Sequence, residues 1–96
     1  MLDQENREMR WTLLTKYGVE HQRILLVEEC SELQKAVCKL FRAEKDQHGY
    51  YLNNFREELV DVIVMCQQTL LTEGIDMEMV NLMAKNKLER ALNQDN

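Results

Sequence analysis

Two groups of acidic residues with the spacing of metal ligands stand out in this chain of 96 residues. The first group is Glu28, Glu29 and Glu32, and the second is Glu58 and Asp61. Residues three or four positions apart share one face of an α-helix, so each group places carboxylates side by side. Like charges at this spacing destabilise an isolated helix by about 0.2–0.5 kcal/mol per pair. Acids kept at that cost beside an apolar pattern indicate that they bind a cation.

The type of ligand predicts which cation this is. Several carboxylate oxygens suit Mg²⁺, with Mn²⁺ also possible, whereas Zn²⁺ prefers nitrogen and sulfur ligands. A di-iron carboxylate bundle is the competing interpretation, but it requires Glu-x-x-His motifs on two helices. Neither His21 nor His48 completes such a motif. The four predicted metal ligands are Glu29, Glu32, Glu58 and Asp61.

Length and composition predict the fold class. Ninety-six residues suit one domain, spanning 1–96, and domains of this size often gain stability by oligomerising. The chain has no proline and three glycines, and residues that favour helices dominate it. The sequence therefore predicts an all-α domain.

Charge and cysteine content exclude several classes of partner. A net charge of −5 argues against binding to nucleic acid or to an anionic membrane, because either would require a basic surface. The three cysteines are odd in number and lack metal-type spacing, so we expect buried, reduced thiols. No apolar run approaches the ~20 residues of a membrane span, and the N-terminus lacks a signal-peptide pattern. These features predict a cytoplasmic protein.

Apolar periodicity and capping signals predict four helices. Their expected ranges are residues 3–17, 19–42, 53–73 and 76–92, with a frayed tail at 93–96. Gly18 and Gly74 are placed to end helices one and three in the left-handed conformation, and Asp76 is placed to cap helix four. Residues 43–51 break the period and predict a short connection, which makes helices two and three antiparallel neighbours.

Each predicted helix has one apolar side that we expect to form the core. These residues are Met9, Leu13, Tyr17, Leu26, Cys30, Leu33, Val37, Leu40, Phe41, Phe55, Leu59, Val62, Ile63, Cys66, Leu70, Val80, Met83, Ala84, Leu88, Ala91 and Leu92. Val60 and Val64 project from another side of helix three, which one small domain would struggle to cover. We therefore expect a homodimer, or a dimer of dimers, built on this helix.

The two acidic groups together resemble a known signature. The segments Glu28-Glu29-Cys30-Ser31-Glu32-Leu33 and Glu58-Leu59-Val60-Asp61, with twenty-five residues between Glu32 and Glu58, resemble the E-E-x-x-E and E-x-x-D motifs of MazG-type all-α nucleoside triphosphate pyrophosphohydrolases. The resemblance covers essentially the whole chain. It implies a four-helix MazG-like bundle, with helices two and three antiparallel, that is completed by homo-oligomerisation. Ser31 stands where the family often has glycine, which leaves the ligands intact.

The resemblance also implies an activity and residue roles. The activity is hydrolysis of a nucleoside triphosphate between its α- and β-phosphates, giving a monophosphate and pyrophosphate, in nucleotide-pool housekeeping. The four predicted ligands would hold Mg²⁺, and Glu28 and Glu29 are the candidate catalytic residues, with Glu28 as a further ligand or a water-orienting base. Lys87 and Arg90 resemble the basic pair on the family's last helix that contacts phosphates, and Lys85 could replace either.

Two further residues are candidates for substrate binding. Gln22 lies seven positions before Glu29, almost two helical turns, so it shares the face of that acid and could donate a hydrogen bond to a ligand. An exposed surface glutamine is the alternative interpretation. Trp11 lies nearly opposite the apolar side of helix one and must find another surface, either a second subunit or the flat face of a base.

Two other functions remain open at this stage. One is a non-catalytic helical interaction module, in which the acids are only solvated and the apolar excess binds a partner protein. The other is a phosphoribosyl-ATP pyrophosphohydrolase, a branch of the same superfamily that shares the metal site but not the substrate.

Overall fold

The protein is entirely helical in the region that the structure describes. The structure, a computed structural model, describes the backbone of residues 4–94 and the side chains of residues 8, 9 and 11–94. The helices are α1 (Gln4–Tyr17), α2 (Val19–Arg42), α3 (His48–Thr72) and α4 (Met77–Gln94). No strand occurs within the described range. The predicted all-α class is confirmed, whereas the predicted helical start at Asp3 lies outside the described residues.

The glycines at the ends of α1 and α3 both have a positive φ, as predicted, but Gly18 lies outside the left-handed helical region, because its ψ is 165°. Gly18, with φ +86°, is the single residue between α1 and α2. Gly74, with φ +70°, follows α3: its N–H donates to the Leu71 carbonyl at 3.3 Å, and the Ile75 N–H donates to the Leu70 carbonyl at 2.9 Å. This pair of bonds is a Schellman motif, which satisfies the last carbonyls of a helix.

The turn after α3 leads directly into α4. Asp76 caps α4 as predicted, since its Oδ1 accepts a hydrogen bond from the Met79 N–H at 2.8 Å. Gly74 and Ile75, which donate the two bonds of the Schellman motif, are the only residues between the C-cap residue Glu73 and the capping residue Asp76. The direction of α4 is fixed by these backbone bonds.

The start of α3 differs from the prediction. α3 begins at His48, five residues before the predicted start at residue 53. The connection is a short turn in which the Gln47 N–H donates to the Glu44 carbonyl at 2.9 Å. The break in apolar periodicity over 43–51 therefore covers both the connection at 43–47 and the first residues of α3, which are exposed. At the C-terminus, α4 likewise continues through Gln94, past the predicted end at residue 92.

α2 and α3 form an antiparallel pair, as predicted. Near the start of α2, Arg23 Nη2 lies 2.6 Å from Oε1 of Glu73, just beyond the end of α3. Further along α2, Glu29 meets Glu58 and Asp61, which come earlier in α3. α1 packs against both of these helices, so α1, α2 and α3 form one body.

α4 packs against no other helix of the described residues. Its predicted core side is exposed, including Met83, Leu88 and Leu92. A four-helix bundle is therefore not completed within one chain. None of the helices in residues 4–94 combines the length and apolar character that crossing a bilayer requires.

The predicted core of the other helices is also largely uncovered. Ala36 is the only fully buried apolar residue in the described part of the chain. The predicted core residues that are instead exposed in α1, α2 and α3 are Met9, Leu13, Tyr17, Val37, Phe41, Leu59, Ile63 and Cys66. Cys38 is exposed too, so the prediction of three buried thiols is wrong. Three helices cannot cover every apolar side, because each side needs a facing surface.

The glycines allow a test of the backbone assignment with opposite signs. Gly18→Ala should lower the free energy of unfolding by about 1–3 kcal/mol, because its φ of 86° and ψ of 165° lie in a backbone region that is essentially restricted to glycine. Gly49→Ala should raise it by about 0.5–1 kcal/mol, because this glycine lies within a helix at negative φ. An added Cβ meets no atom within 4 Å at either site, so packing does not enter. Urea denaturation at one fixed protein concentration measures both, and a stable Gly18→Ala variant would contradict the assignment.

Candidate metal centre

Three of the predicted ligands come together at the contact between α2 and α3. Glu29, Glu58 and Asp61 each offer a carboxylate oxygen, and these oxygens lie within 4.8 Å of one another. Glu29 and Glu58 are partly buried and Asp61 is exposed, so the group, called the acid triad below, opens to solvent on one side. No histidine or cysteine belongs to this group, which makes its donors all oxygen.

The triad follows from helix geometry. Glu58 and Asp61 are three residues apart on α3 and therefore share a face. α2 runs antiparallel to α3 and places Glu29 opposite that face. Two helices in contact can thus assemble a set of oxygen ligands without any loop.

The electrostatics of the triad disfavour three free negative charges. The pKa of Glu29 is raised above its usual value of 4.5, first because its carboxylate is partly desolvated, and then because Asp61, Glu58, Glu32 and Glu28 are negative. A bound cation would offset this repulsion, because it attracts each of the negative carboxylates. The arrangement is therefore suited to a divalent cation.

The two other predicted acids lie beside the triad. Glu32 is outside the set of mutually close oxygens, and its Oε1 accepts from Lys35 Nζ at 3.4 Å on the surface of α2. An exposed pair of this kind contributes only about 0–1 kcal/mol, so it does not prevent Glu32 from turning to a metal. Glu28 is exposed, and its charge reaches Glu29. The roles of these two acids stay predictions.

Buried amides continue the contact between α2 and α3 beyond the triad. Gln22 is only 3% exposed, so the alternative of a surface glutamine is wrong. Gln67 and Gln68 are buried as well, which the sequence reasoning missed. The available signal was spacing: Gln68 follows Asp61 by seven residues, just as Gln22 precedes Glu29 by seven. The contact between α2 and α3 is therefore acidic at the triad and has neutral amides, which can form hydrogen bonds, further along the two helices.

Trp11 lies away from the triad. It lines a cleft of about 430 Å³ at the turn between α3 and α4. The other lining residues are Leu70, Leu71, Gly74, Ile75, Asp76 and Met77. Leu70 is nine residues beyond Asp61, which corresponds to about 13 Å along a helix. Trp11 is therefore placed for the far end of a ligand that starts at the acids, or for a second subunit.

The three predicted phosphate-binding bases are not brought to the triad within one chain. Lys85, Lys87 and Arg90 are exposed on α4, the helix that packs against no other. Their predicted role therefore requires a movement of α4 or a second copy of the chain.

Comparison of the chain with protein-family models, with curated proteins and with solved structures gives no match. The function must therefore be inferred from the geometry of the acid triad and from the motif resemblance.

The raised pKa of Glu29 predicts a pH-dependent effect of its removal. The folded state holds this proton more tightly than the unfolded chain, so ionised Glu29 destabilises the fold above its raised pKa, and this cost disappears as the pH falls towards 4.5. With divalent cations chelated, Glu29→Gln should be more stable than wild type at pH 7 by up to about 1 kcal/mol, and equal to it below pH 4.5.

Urea melts at several pH values measure this difference. Glu89→Gln, which removes a carboxylate from α4 outside the triad, is the control and should show no such trend. A Glu29→Gln protein that is less stable than wild type at pH 7 without cations would contradict the electrostatic account.

Proposed function

We propose that this protein is a Mg²⁺-dependent nucleoside triphosphate pyrophosphohydrolase of the MazG type, which converts an NTP or dNTP to the monophosphate and pyrophosphate. The observation that carries the proposal is the meeting of Glu29 from the first motif with Glu58 and Asp61 from the second. The two motifs lie on different helices, α2 and α3. A shared metal site requires that their acids meet in the folded chain, as Glu29, Glu58 and Asp61 do.

The residues present fit Mg²⁺, with Mn²⁺ as the substitute. The donors are hard carboxylate oxygens, and the pKa of Glu29 is raised first by partial desolvation and then by neighbouring acids, whose charge a divalent cation would offset. Glu29, Glu58 and Asp61 would hold the ion, with Glu32 as the fourth ligand. When bound, Mg²⁺ supplies neutralisation of phosphate charge and acidification of a bound water.

The chain's own residues then have distinct tasks. In the reaction, water adds across the α–β phosphoanhydride: a new P–O bond forms, the bridging P–O bond breaks, and pyrophosphate leaves with the electron pair. Glu28, an exposed carboxylate beside the triad, accepts the proton of that water as a general base. Glu29, the next residue on α2, would hold the ion and help to orient the water.

Substrate binding would use residues that lie outside the triad. Gln22 is buried two turns from Glu29 on α2 and offers an amide to the sugar or base. Trp11 offers an aromatic face in the cleft at the end of α3. Lys85, Lys87 and Arg90 are the cations that would offset phosphate charge. We expect the enzyme to act as a homodimer or a dimer of dimers in the cytoplasm, where its three free thiols stay reduced.

A non-catalytic interaction module is the second candidate, because so much apolar surface is exposed. On that interpretation the acids are only solvated, and the folded state has no affinity for Mg²⁺. The phosphoribosyl-ATP branch differs from the main proposal only in substrate. A screen of NTPs, dNTPs and phosphoribosyl-ATP that reads pyrophosphate release separates all three, since the interaction module releases none.

Magnesium should raise the melting temperature of the wild-type protein. A ligand that binds only the folded state stabilises it by about 2.7 kcal/mol at a hundred times its dissociation constant. For a domain of this size that is a shift of roughly 10 °C or more. Asp61→Asn should lose this shift and at least about 10–100-fold of the activity, because it loses a ligand charge while preserving side-chain size.

Glu57→Gln is the matched control for this test. It removes the same charge from an exposed position beside Glu58, outside the triad, and should keep both the Mg²⁺ shift and the activity. Circular dichroism should show equal helix content in both variants. An Asp61→Asn enzyme that retains full Mg²⁺-dependent activity would reject the site.

A further inference from the structure

The second half of α2 carries positive charge in a chain that is acidic as a whole. The net charge of the protein is −5, yet residues 33–43 contain Lys35, Lys39 and Arg42 and no acid. All three cations are exposed to solvent. Lys35 Nζ lies 3.4 Å from Glu32 Oε1, whereas Lys39 and Arg42 form no ion pair with any described residue. This stretch therefore has positive charge that the described part of the chain does not neutralise.

The three cations surround a cleft of about 360 Å³ on one side of α2. The lining residues, called the basic face below, are Ser31, Gln34, Lys35, Cys38, Lys39 and Arg42. Their spacing places them within about 140° of one another around the helix. They include hydroxyl, amide, ammonium and guanidinium groups, which donate hydrogen bonds, and no carboxylate of the described residues lines the cleft. The basic face is therefore suited to the oxygens of an anion.

The basic face points away from the acid triad. Glu29, which meets α3, and the buried Ala36 lie about 160° and 140° around α2 from Ser31. An anion at the basic face is thus separated from the triad by the helix itself, whose diameter with side chains is about 10–12 Å. Because the lining groups carry their own positive charge, the basic face can hold an anion without the metal ion that the triad requires.

The length of the basic face favours a short anion over a long one. Lys35 and Arg42 are seven residues apart, which is about 10 Å along α2, so the row of cations is longer than one phosphate group. Acids flank this row, with Glu32 before it and Glu44 after it. A nucleic-acid strand would have to continue past these acids, whose charge repels phosphate. Two or three linked phosphoryl groups therefore suit the row better than a strand does.

We propose that the basic face of α2 is a second binding site, which takes a small, metal-free anion with two or more linked phosphoryl groups. Arg42 binds a phosphoryl group through parallel hydrogen bonds, and Lys35 and Lys39 act as point charges. Ser31 and Gln34 donate hydrogen bonds to the remaining oxygens. Inorganic polyphosphates and the 5′-polyphosphates of nucleotides share this chemistry. The site is independent of the proposed function, because it uses neither the triad nor its metal ion.

Binding of tripolyphosphate in EDTA tests the proposal. With divalent cations chelated, the acid triad repels this anion, so binding reports a site made of the chain's own cations. Equilibrium dialysis at about 50 mM salt, where screening is weak, should show one bound tripolyphosphate per chain. Orthophosphate should bind about tenfold more weakly, because it reaches fewer of the cations. A wild-type protein that does not bind tripolyphosphate, or that prefers orthophosphate, would overturn the proposal.

Two double variants separate the basic face from a general effect of charge. Lys39→Gln/Arg42→Gln removes a lysine and an arginine three residues apart from α2, and Lys87→Gln/Arg90→Gln removes the same pair at the same spacing from α4. The α2 variant should bind tripolyphosphate about tenfold or more weakly, since each charged hydrogen bond contributes to affinity. The α4 variant should bind like wild type, and circular dichroism should show equal helix content. Equal loss in both variants, or loss in the α4 variant alone, rejects the site.

Cys38 gives a readout within the cleft. It is an exposed thiol among the lining residues, and Cys66 is an exposed thiol on α3. Saturating tripolyphosphate should slow the alkylation of Cys38 by iodoacetamide, a neutral reagent, by about fivefold or more, because the anion covers the thiol and disfavours its thiolate. Cys66 should keep its rate in the same sample. Peptide mass spectrometry measures both rates, and an unprotected Cys38 would contradict the proposal.

Further ligands identify the source of the anion. ATP that binds in EDTA as tightly as tripolyphosphate, and that depends equally on Lys39 and Arg42, would assign the site to nucleotide polyphosphates. Binding of tripolyphosphate without ATP would assign it to inorganic polyphosphates, and either result supports the proposal. Tighter binding of an oligothymidylate or of a polyglutamate peptide would overturn it in favour of a macromolecular partner. A protein that releases no pyrophosphate from any nucleotide would refute the proposed function and leave these binding measurements unchanged.

Discussion

The antiparallel contact of α2 and α3 is the constraint on which the rest of the molecule depends. It brings Glu29 to Glu58 and Asp61 at the cost of partial desolvation and of mutual repulsion, which together raise the pKa of Glu29. Little apolar burial offsets this cost, since Ala36 is the one fully buried apolar residue among those described. The α2–α3 pair is therefore held together by little apolar burial, and it carries excess negative charge. A bound cation would offset the charge, and a covering surface would bury the exposed apolar side chains.

The sequence was sufficient where structure depends on near neighbours. Gly18 and Gly74 end helices, and Asp76 caps one, because each of these features involves only a few adjacent residues. The three-residue spacing of Glu58 and Asp61 likewise fixes their shared face. The meeting of the two motifs needed one more step, the antiparallel order that a short connection imposes.

The sequence was insufficient where the outcome depends on distant surfaces. Apolar periodicity identified one side of α4 but not what covers it, and no other helix of the described residues does. It also placed Phe41 in the core, although that residue is 90% exposed at the open end of α2. Gln67 and Gln68 were missed because glutamine is ordinarily exposed, so composition argues against burial unless spacing relative to the acids is considered.

The turn after α3 has a consequence for how the chain can change in evolution. Gly74 and Ile75 form the Schellman motif, and the next residue, Asp76, already caps α4. The connection therefore contains no residue without a structural role. Inserting one residue within the first turn of α4 would rotate the rest of α4 by about 100° and so change which side of the helix faces a given direction. The turn at 43–47, at the opposite end of the pair, leads only from α2 into α3 at an exposed tip. Length variation among descendants of this chain should therefore accumulate at 43–47 and be purged at 73–77.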